Sequence, residues 1–285
     1  MATRRWFPTG HAAQPFFCVV GSPIAHSKSP RIHAAFAAQL GIALVYQRVE
    51  VSSGDLAAAL KEFRDYGGRG MNVTVPLKEE AWRLATARTP RAAQAGAANT
   101  LWFAADGALA ADNTDGAGLV RDLEANHGVA LAGQRILLLG AGGAARGVIP
   151  ALLDAGPAVL AVSNRTSARA ELLREAFAAH ARLEVVAWGT APAWSPDLVI
   201  NATTLSLRGA VPPLPAGMVG ADCTCYDMMY GSEPTAFVRW ARTQGAARAL
   251  DGLGMLVEQA AEAFLCWHGQ RPDSAPVIAA LRNDD

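Results

Sequence analysis

Arg135-Ile136-Leu137-Leu138-Leu139-Gly140-Ala141-Gly142-Gly143-Ala144-Ala145 decides the fold. The apolar run Ile136 to Leu139 is the pattern of a strand buried on both faces of a parallel sheet. Gly140, Gly142 and Ala145 then fit G-x-G-x-x-G/A between that strand and a helix. In such a turn the first glycine makes the bend and the second lets backbone N–H groups approach a pyrophosphate. The small third residue lets helix press on strand. Gly143 and Ala144 complete the loop at a helix N-terminus, where anions are favoured. A dinucleotide site is expected, against the alternative of a turn needed only for helix–sheet packing.

Downstream the rhythm is strict. Strands are predicted at Ala158 to Val162, Asp197 to Ile200, Val219 to Tyr226 and Ala246 to Leu250, with a helix at Ser167 to Ala179. Strands alternating with helices make βαβ units and a doubly wound sheet. Enzymes using NAD place an acid about 20 residues past the glycines, for the ribose hydroxyls. Here the second strand ends in Asn164-Arg165-Thr166, with Arg169 one turn on and no acid. A guanidinium is a planar fork of donors matched to a phosphate, which favours NADP over a merely polar surface turn.

Upstream, Phe16 to Val20, Leu44 to Val51 and Met71 to Val75 read as strands. Ser29-Pro30 reads as an N-cap and first helical residue, opening a helix to about Leu40. Helices are also expected at Asp55 to Tyr66 and from about Leu77. Asp106-Gly107, between Leu101 to Phe103 and Ala108 to Ala111, marks a hairpin. After Leu250 the pattern is wholly helical, through Leu253 to Trp267 and Pro276 to Leu281, which suits a segment packing back on the first domain.

Composition excludes several classes. Of 285 residues 51% are hydrophobic and 18% charged, the profile of a globular chain and not a disordered one. The 25 basic and 25 acidic residues cancel, so no nucleic-acid partner or membrane surface is expected. The apolar runs are far shorter than the roughly 20 residues that span a bilayer. Pro8, Gly10 and His11 interrupt any signal-peptide core, so residues 1–15 read as a flexible extension on a cytoplasmic protein. Cys18, Cys223, Cys225 and Cys266 form no CxxC pair, and no metal is expected. Cys223 and Cys225 are two apart on a predicted strand and share a face, as small apolar residues.

Two polar clusters stand out. Asn72-Val73-Thr74-Val75-Pro76-Leu77-Lys78 puts a lysine at a helix start, against the helix dipole, so stability does not explain its position. The other is Asn99-Thr100 with Asp112-Asn113-Thr114-Asp115-Gly116 after the hairpin. A lysine and a carboxylate at strand ends are placed to meet over a cleft; a capped turn is the alternative for either cluster alone.

Taken together, the motifs resemble the shikimate dehydrogenase family. They are Gly21-Ser22-Pro23-Ile24-Ala25-His26-Ser27-Lys28-Ser29-Pro30, the two clusters just given, Gly96-Ala97-Ala98-Asn99-Thr100, the glycine loop and Asn164-Arg165-Thr166. Tyr226-Asp227-Met228-Met229-Tyr230 and Asp251-Gly252-Leu253-Gly254-Met255-Leu256-Val257-Glu258-Gln259-Ala260 complete the series, in family order from about residue 16 to 280.

The resemblance implies an α/β substrate-binding domain beside a Rossmann, doubly wound NADP-binding domain, with C-terminal helices rejoining the first. It divides the chain into 16–114 plus 252–285 and 115–251, with a cleft that opens and closes. It implies reversible reduction of 3-dehydroshikimate to shikimate, with Lys78 and Asp115 as the catalytic pair. Ser27 and Ser29 are implied to take the substrate carboxylate. Thr74, Lys78, Asn99, Asp115 and Gln259 would hold ring hydroxyls, and Tyr230 would line the site. His26 reads as a structural neighbour. Gly140, Gly142, Gly143, Ala144, Asn164, Arg165, Thr166 and Arg169 form the expected NADP site, and the chain is expected as monomer or homodimer. The same chemistry on quinate or an aminated analogue, using NAD or NADP, and a ligand sensor without catalysis are the rival readings, and Lys78 with Asp115 argues against the second. One segment departs from the family: after Asn201-Ala202-Thr203, where relatives run through small residues to a glycine, this chain has Thr204-Leu205-Ser206-Leu207.

Overall fold

Phe16-Phe17-Cys18-Val19-Val20-Gly21 carries no charged or amide side chain, and in the computed structural model it is a strand buried along its whole length. The structure describes residues 5–8, 10–179 and 182–283. By internal contacts the chain divides into two units, Met1–Asp115 with Val257–Ala280, and Gly116–Leu256 with Leu281–Asp285.

The first unit runs β1 (Phe16–Gly21), α1 (Ser29–Leu40), β2 (Val45–Glu50), α2 (Leu56–Asp65), β3 (Gly68–Val73), α3 (Lys78–Leu84), β4 (Ala87–Arg88), α4 (Pro90–Ala95), β5 (Thr100–Phe103) and β6 (Leu109–Asp112). Its sheet has the order β2-β1-β3-β5-β6-β4. β1 is parallel to both β2 and β3, while β5 and β6 form the antiparallel hairpin that Asp106-Gly107 announces. Gly107 takes φ +84°, and the Asp106 carboxylate accepts from Ala108 N at 3.0 Å. Two aromatic packings on this sheet require glycine. A Cβ on Gly68 would fall 2.2 Å from the Phe63 ring, and one on Gly70 would fall 2.4 Å from the Trp267 indole.

The N-terminal segment corrects the sequence expectation of a flexible extension. Phe7 is 4% exposed in the core beside Phe16 and Phe63, and Trp6 N donates to the Glu62 carboxylate at 3.0 Å. The missed signal is Trp6-Phe7, an apolar pair too short to show a period. Residues 1–4 and 9 of that expectation, and 284–285 of the C-terminal one, lie outside the described residues.

The chain continues with α5 (Asp115–Arg121), β7 (Arg135–Leu139), α6 (Gly143–Asp154), β8 (Val159–Ser163), α7 (Ser167–Ala176), β9 (Leu183–Val186), β10 (Leu198–Asn201), β11 (Thr224–Asp227), α8 (Ala236–Thr243) and β12 (Arg248–Leu250). In the sheet of the second unit all strand pairs are parallel, in the order β12-β11-β10-β7-β8-β9. Read from β9 this is the 3-2-1-4-5-6 order of the dinucleotide-binding fold, and it reverses between β7 and β10. α9 (Leu253–His268) and α10 (Ala275–Asn283) close the chain.

Sequence and structure differ at identifiable places. The predicted strand Val219 to Tyr226 shrinks to β11, because Gly220 to Cys223 forms a turn in which Cys223 N donates to Gly220 O. Cys223 and Cys225 nevertheless share one buried cluster, as their spacing implies. Ser29 lies inside α1; Lys28 is its N-cap, and no side chain caps it. β4, α4 and β9 are too short to show a period, whereas α8, which buries Phe237, Val238 and Ala241, carries a helical pattern that sequence reasoning missed. Among the described residues no helix is long and apolar enough to cross a membrane, and no group of three His, Cys, Asp or Glu could hold a metal.

Candidate functional site

The polar residues singled out in the first unit collect at the carboxyl ends of β1 and β3, the edge where open α/β sheets bind ligands. The two strand ends are tied together: Thr74 N donates to Val20 O and Ser22 N to Val75 O. Gly21 permits this, since a Cβ there would fall 2.5 Å from Thr74 Cγ2 and 2.9 Å from Val75 O.

Lys78 is the first residue of α3 and Asp115 the first of α5. Asp115 suits the helix dipole and Lys78 opposes it. Lys78 Nζ lies 2.5 Å from Asp115 Oδ2, with side chains only 12% and 6% exposed. The pair is held from behind. Asn99 Nδ2 is 2.8 Å from Asp115 Oδ1, 2.9 Å from Thr114 Oγ1 and 3.2 Å from Gln259 Oε1. The other end of that amide accepts from Thr114 N and Thr100 Oγ1, each at 2.9 Å. Asn113 accepts from Asp115 N and donates to Ala97 O, while Ala98 N donates to Lys78 O. Four separate segments therefore fix one ammonium–carboxylate pair.

The serines form a second focus. Ser27 Oγ and Ser29 Oγ are 3.1 Å apart and both buried, and Arg48 Nε clamps the Ser27 carbonyl at 2.6 Å. Sequence reasoning missed Tyr46, which connects to the cluster. Its hydroxyl donates to Asn72 Oδ1 at 2.6 Å, and Asn72 Nδ2 donates to Asn99 O and Thr100 Oγ1. Its only signal was its place as an inward residue on β2. Asp112 proves structural, gripped by Arg91 at 2.6 and 2.7 Å and by Thr89 at 2.6 Å. Together these donors hold its carboxyl below the ordinary range, against the opposing effect of burial.

In the second unit Gly140 has φ +113°, and its N donates to Ser163 O at 2.7 Å. Gly142 caps α6 in extended conformation, and a Cβ on it would meet nothing within 4 Å. Gly143 and Ala144 form the first turn of α6 and are partly exposed. Asn164 braces this turn, accepting from Ala141 N at 3.2 Å and donating to Thr166 O at 2.9 Å. Arg165, Thr166 and Arg169 are exposed beyond β8. Among the described residues neither guanidinium forms an ion pair. Tyr230, half-buried after β11, belongs to this unit and not to the one holding the serines.

Models of three related domains match this chain in succession. A shikimate dehydrogenase substrate binding domain matches residues 19–101, a shikimate / quinate 5-dehydrogenase residues 123–206, and a shikimate 5'-dehydrogenase C-terminal domain residues 252–282. The shikimate dehydrogenase (NADP(+)) of Alkalilimnicola ehrlichii is 56% identical over 266 residues, 93% of this chain and 98% of its own length. Among solved structures, an Ael1 enzyme from Pseudomonas putida aligns with TM-score 0.85 at 45% identity, covering 94% of this chain and 98% of its own. Shikimate 5-dehydrogenase from Thermus thermophilus, in complex with NADP(H) and shikimate, aligns with TM-score 0.83 at 36% identity, over 94% and 99%.

Proposed function

The chain belongs to the shikimate dehydrogenase family, and from that premise we propose that Lys78 and Asp115 are the catalytic pair of its NADP-dependent interconversion of 3-dehydroshikimate and shikimate. The observation that carries the proposal is the 2.5 Å contact between the two side chains, fixed by Asn99. Bound NADPH supplies the hydride to the ketone carbon. Negative charge grows on the ketone oxygen, and the Lys78 ammonium delivers a proton to it; in the reverse direction Lys78 takes the proton back. Asp115 orients the ammonium and keeps a counter-charge beside it. Ser27 and Ser29 receive the substrate carboxylate, supported by their adjacent buried hydroxyls. Thr74, Asn99 and Gln259 hold ring hydroxyls. Holding the ring in one pose supplies the proximity that hydride transfer needs.

The second unit fits such a cofactor. Gly142 leaves open space before a helix N-terminus. Beyond β8, where an enzyme for NAD would place an acid, stand two exposed arginines without ion-pair partners among the described residues. Gly140, Gly142, Gly143, Ala144, Asn164, Arg165, Thr166 and Arg169 would hold NADP. We assign the first unit as the substrate-binding domain and the second as the NADP-binding domain, with boundaries near 114 and 252. We also place the chain in the cytoplasm as monomer or homodimer, a location its four free cysteines support. The test follows nicotinamide absorbance while crossing shikimate and quinate with NADP and NAD. Turnover confined to shikimate with NADP is expected; preference for quinate or NAD overturns the substrate or cofactor assignment.

A further inference from the structure

We propose, resting on the NADP reading above, that Ser206 and Asp227 are positioning residues for the cofactor. They anchor the loop after β10, which in turn shapes the glycine turn. The strand order reverses between β7 and β10, so the loops leaving these two strands flank the ligand crevice together. Their contact is backbone against backbone: a Cβ on Gly140 would lie 3.2 Å from the carbonyl carbon and oxygen of Ala202. Ala202 N also donates to Leu139 O at 2.8 Å. Wherever Ala202 and Thr203 stand, the glycine turn must conform.

Asn201 and Asp227 set that position. Asn201 Oδ1 accepts from Thr203 N at 3.1 Å and Thr203 Oγ1 at 2.7 Å. Asn201 Nδ2 donates to Asp227 Oδ1 at 3.0 Å and lies 3.3 Å from Ser206 Oγ. Ser206 Oγ donates to Asp227 Oδ2 at 2.6 Å, beside Thr235 Oγ1 at 2.6 Å, and Met229 N reaches Oδ1 at 3.1 Å. The Asp227 carboxylate is fully buried, and among the described residues no cation pairs with it. Four neutral donors replace its water, which is the condition for burying such a group.

Ser206 separates a cofactor role from a merely structural one. Thr235 caps α8, so its bond to Asp227 serves packing. Ser206 belongs to the 3-10 turn Leu205–Arg208, none of whose residues is buried, and Leu207 is 63% exposed. That turn has no apolar anchor, and the bond to Asp227 ties it to the end of β11. It is also where this chain departs from the family pattern.

The test titrates NADP+ alone into wild type, Ser206→Ala and Ser206→Thr by calorimetry, then measures KM for shikimate and thermal midpoints. Ser206→Ala is expected to raise the Kd for NADP+ about 10-fold, the loss of a hydrogen bond to a charged acceptor. Shikimate KM stays at its wild-type value, the midpoint falls because a buried carboxylate loses one of its four donors, and Ser206→Thr, which keeps the hydroxyl, stays within about 3-fold in NADP+ affinity. Asp227→Asn should move NADP+ affinity in the same direction. Wild-type NADP+ affinity in Ser206→Ala overturns the proposal, as does equal weakening of both ligands. A wild-type chain that binds no NADP+ overturns the cofactor reading, and this proposal with it.

Discussion

The two units hold their polar groups in opposite ways. In the first, the key groups are buried or half-buried side chains from distant segments: Lys78, Asn99, Asp115 and Gln259 meet although 181 positions, 259 less 78, separate the outermost two. In the second, the glycine turn is largely backbone, one continuous stretch from Gly140 to Ala145 beside exposed arginines. A side-chain constellation depends on many contacts and tolerates little change at its reacting atom. A backbone turn depends on φ, on empty space and on the loops behind it. The two sites should therefore break differently.

The largest break is expected at the ammonium. Lys78→Ala should lower kcat by about 10²- to 10⁴-fold, the usual worth of a positioned acid, with little effect on NADP+ affinity. Steady-state kinetics beside calorimetry would check this, and near-normal turnover would remove Lys78 from the mechanism. Next is Arg165→Ala combined with Arg169→Ala. Loss of charge-assisted bonds to a phosphate should cost about 10- to 100-fold in the preference for NADP over NAD while shikimate KM holds. An unchanged preference would mean that the 2′-phosphate is held elsewhere.

That contrast also explains what the sequence made legible. The glycine turn shows because strand, turn and helix follow one another within eleven residues, each with its own local pattern. Asp106-Gly107 shows for the same reason. Tyr46 and Ser206 do not, since their meaning comes only from partners 26 and 21 positions away, Asn72 and Asp227. Lys78 and Asp115 are intermediate: their helix-start positions mark them as unusual, but family resemblance was needed to pair them. Phe7 was missed because two aromatic residues before a proline carry no period.

Two glycines sharpen the comparison inside one turn. Gly140→Ala puts a Cβ on a residue at φ +113°, 3.2 Å from Ala202 backbone, and should cost about 1–3 kcal/mol of stability. Gly142→Ala at φ −92° meets nothing within 4 Å and should leave stability within about 0.5 kcal/mol. It should still weaken NADP+ binding, because the new methyl occupies the space a pyrophosphate needs. Urea melts of both variants with parallel NADP+ titrations separate the two outcomes; equal stability losses would contradict this account of the turn.

The smallest effect concerns a group behind the first site. His33 is 1% exposed and stacked on Tyr46 at 4.3 Å, and neither ring nitrogen reaches a hydrogen-bond partner. Burial pushes its pKa down to about 3, helped by His268 and opposed by nearby Asn72. The depressed value belongs to the folded state, so below the ordinary 6.5 the unfolded chain binds a proton that the folded chain does not. Stability is therefore lost as pH falls from about 6.5 toward 3, and His33 should account for about 1 kcal/mol of the loss between pH 6.5 and 5.5. His33→Phe keeps an aromatic ring on Tyr46 and removes that proton, leaving the smaller contribution of His268, which burial also depresses. Urea midpoints of the two proteins at these two pH values should diverge by that amount. Parallel pH dependence would mean that His33 is protonated in the fold, beside a partner that the Tyr46–Asn72 arrangement does not supply.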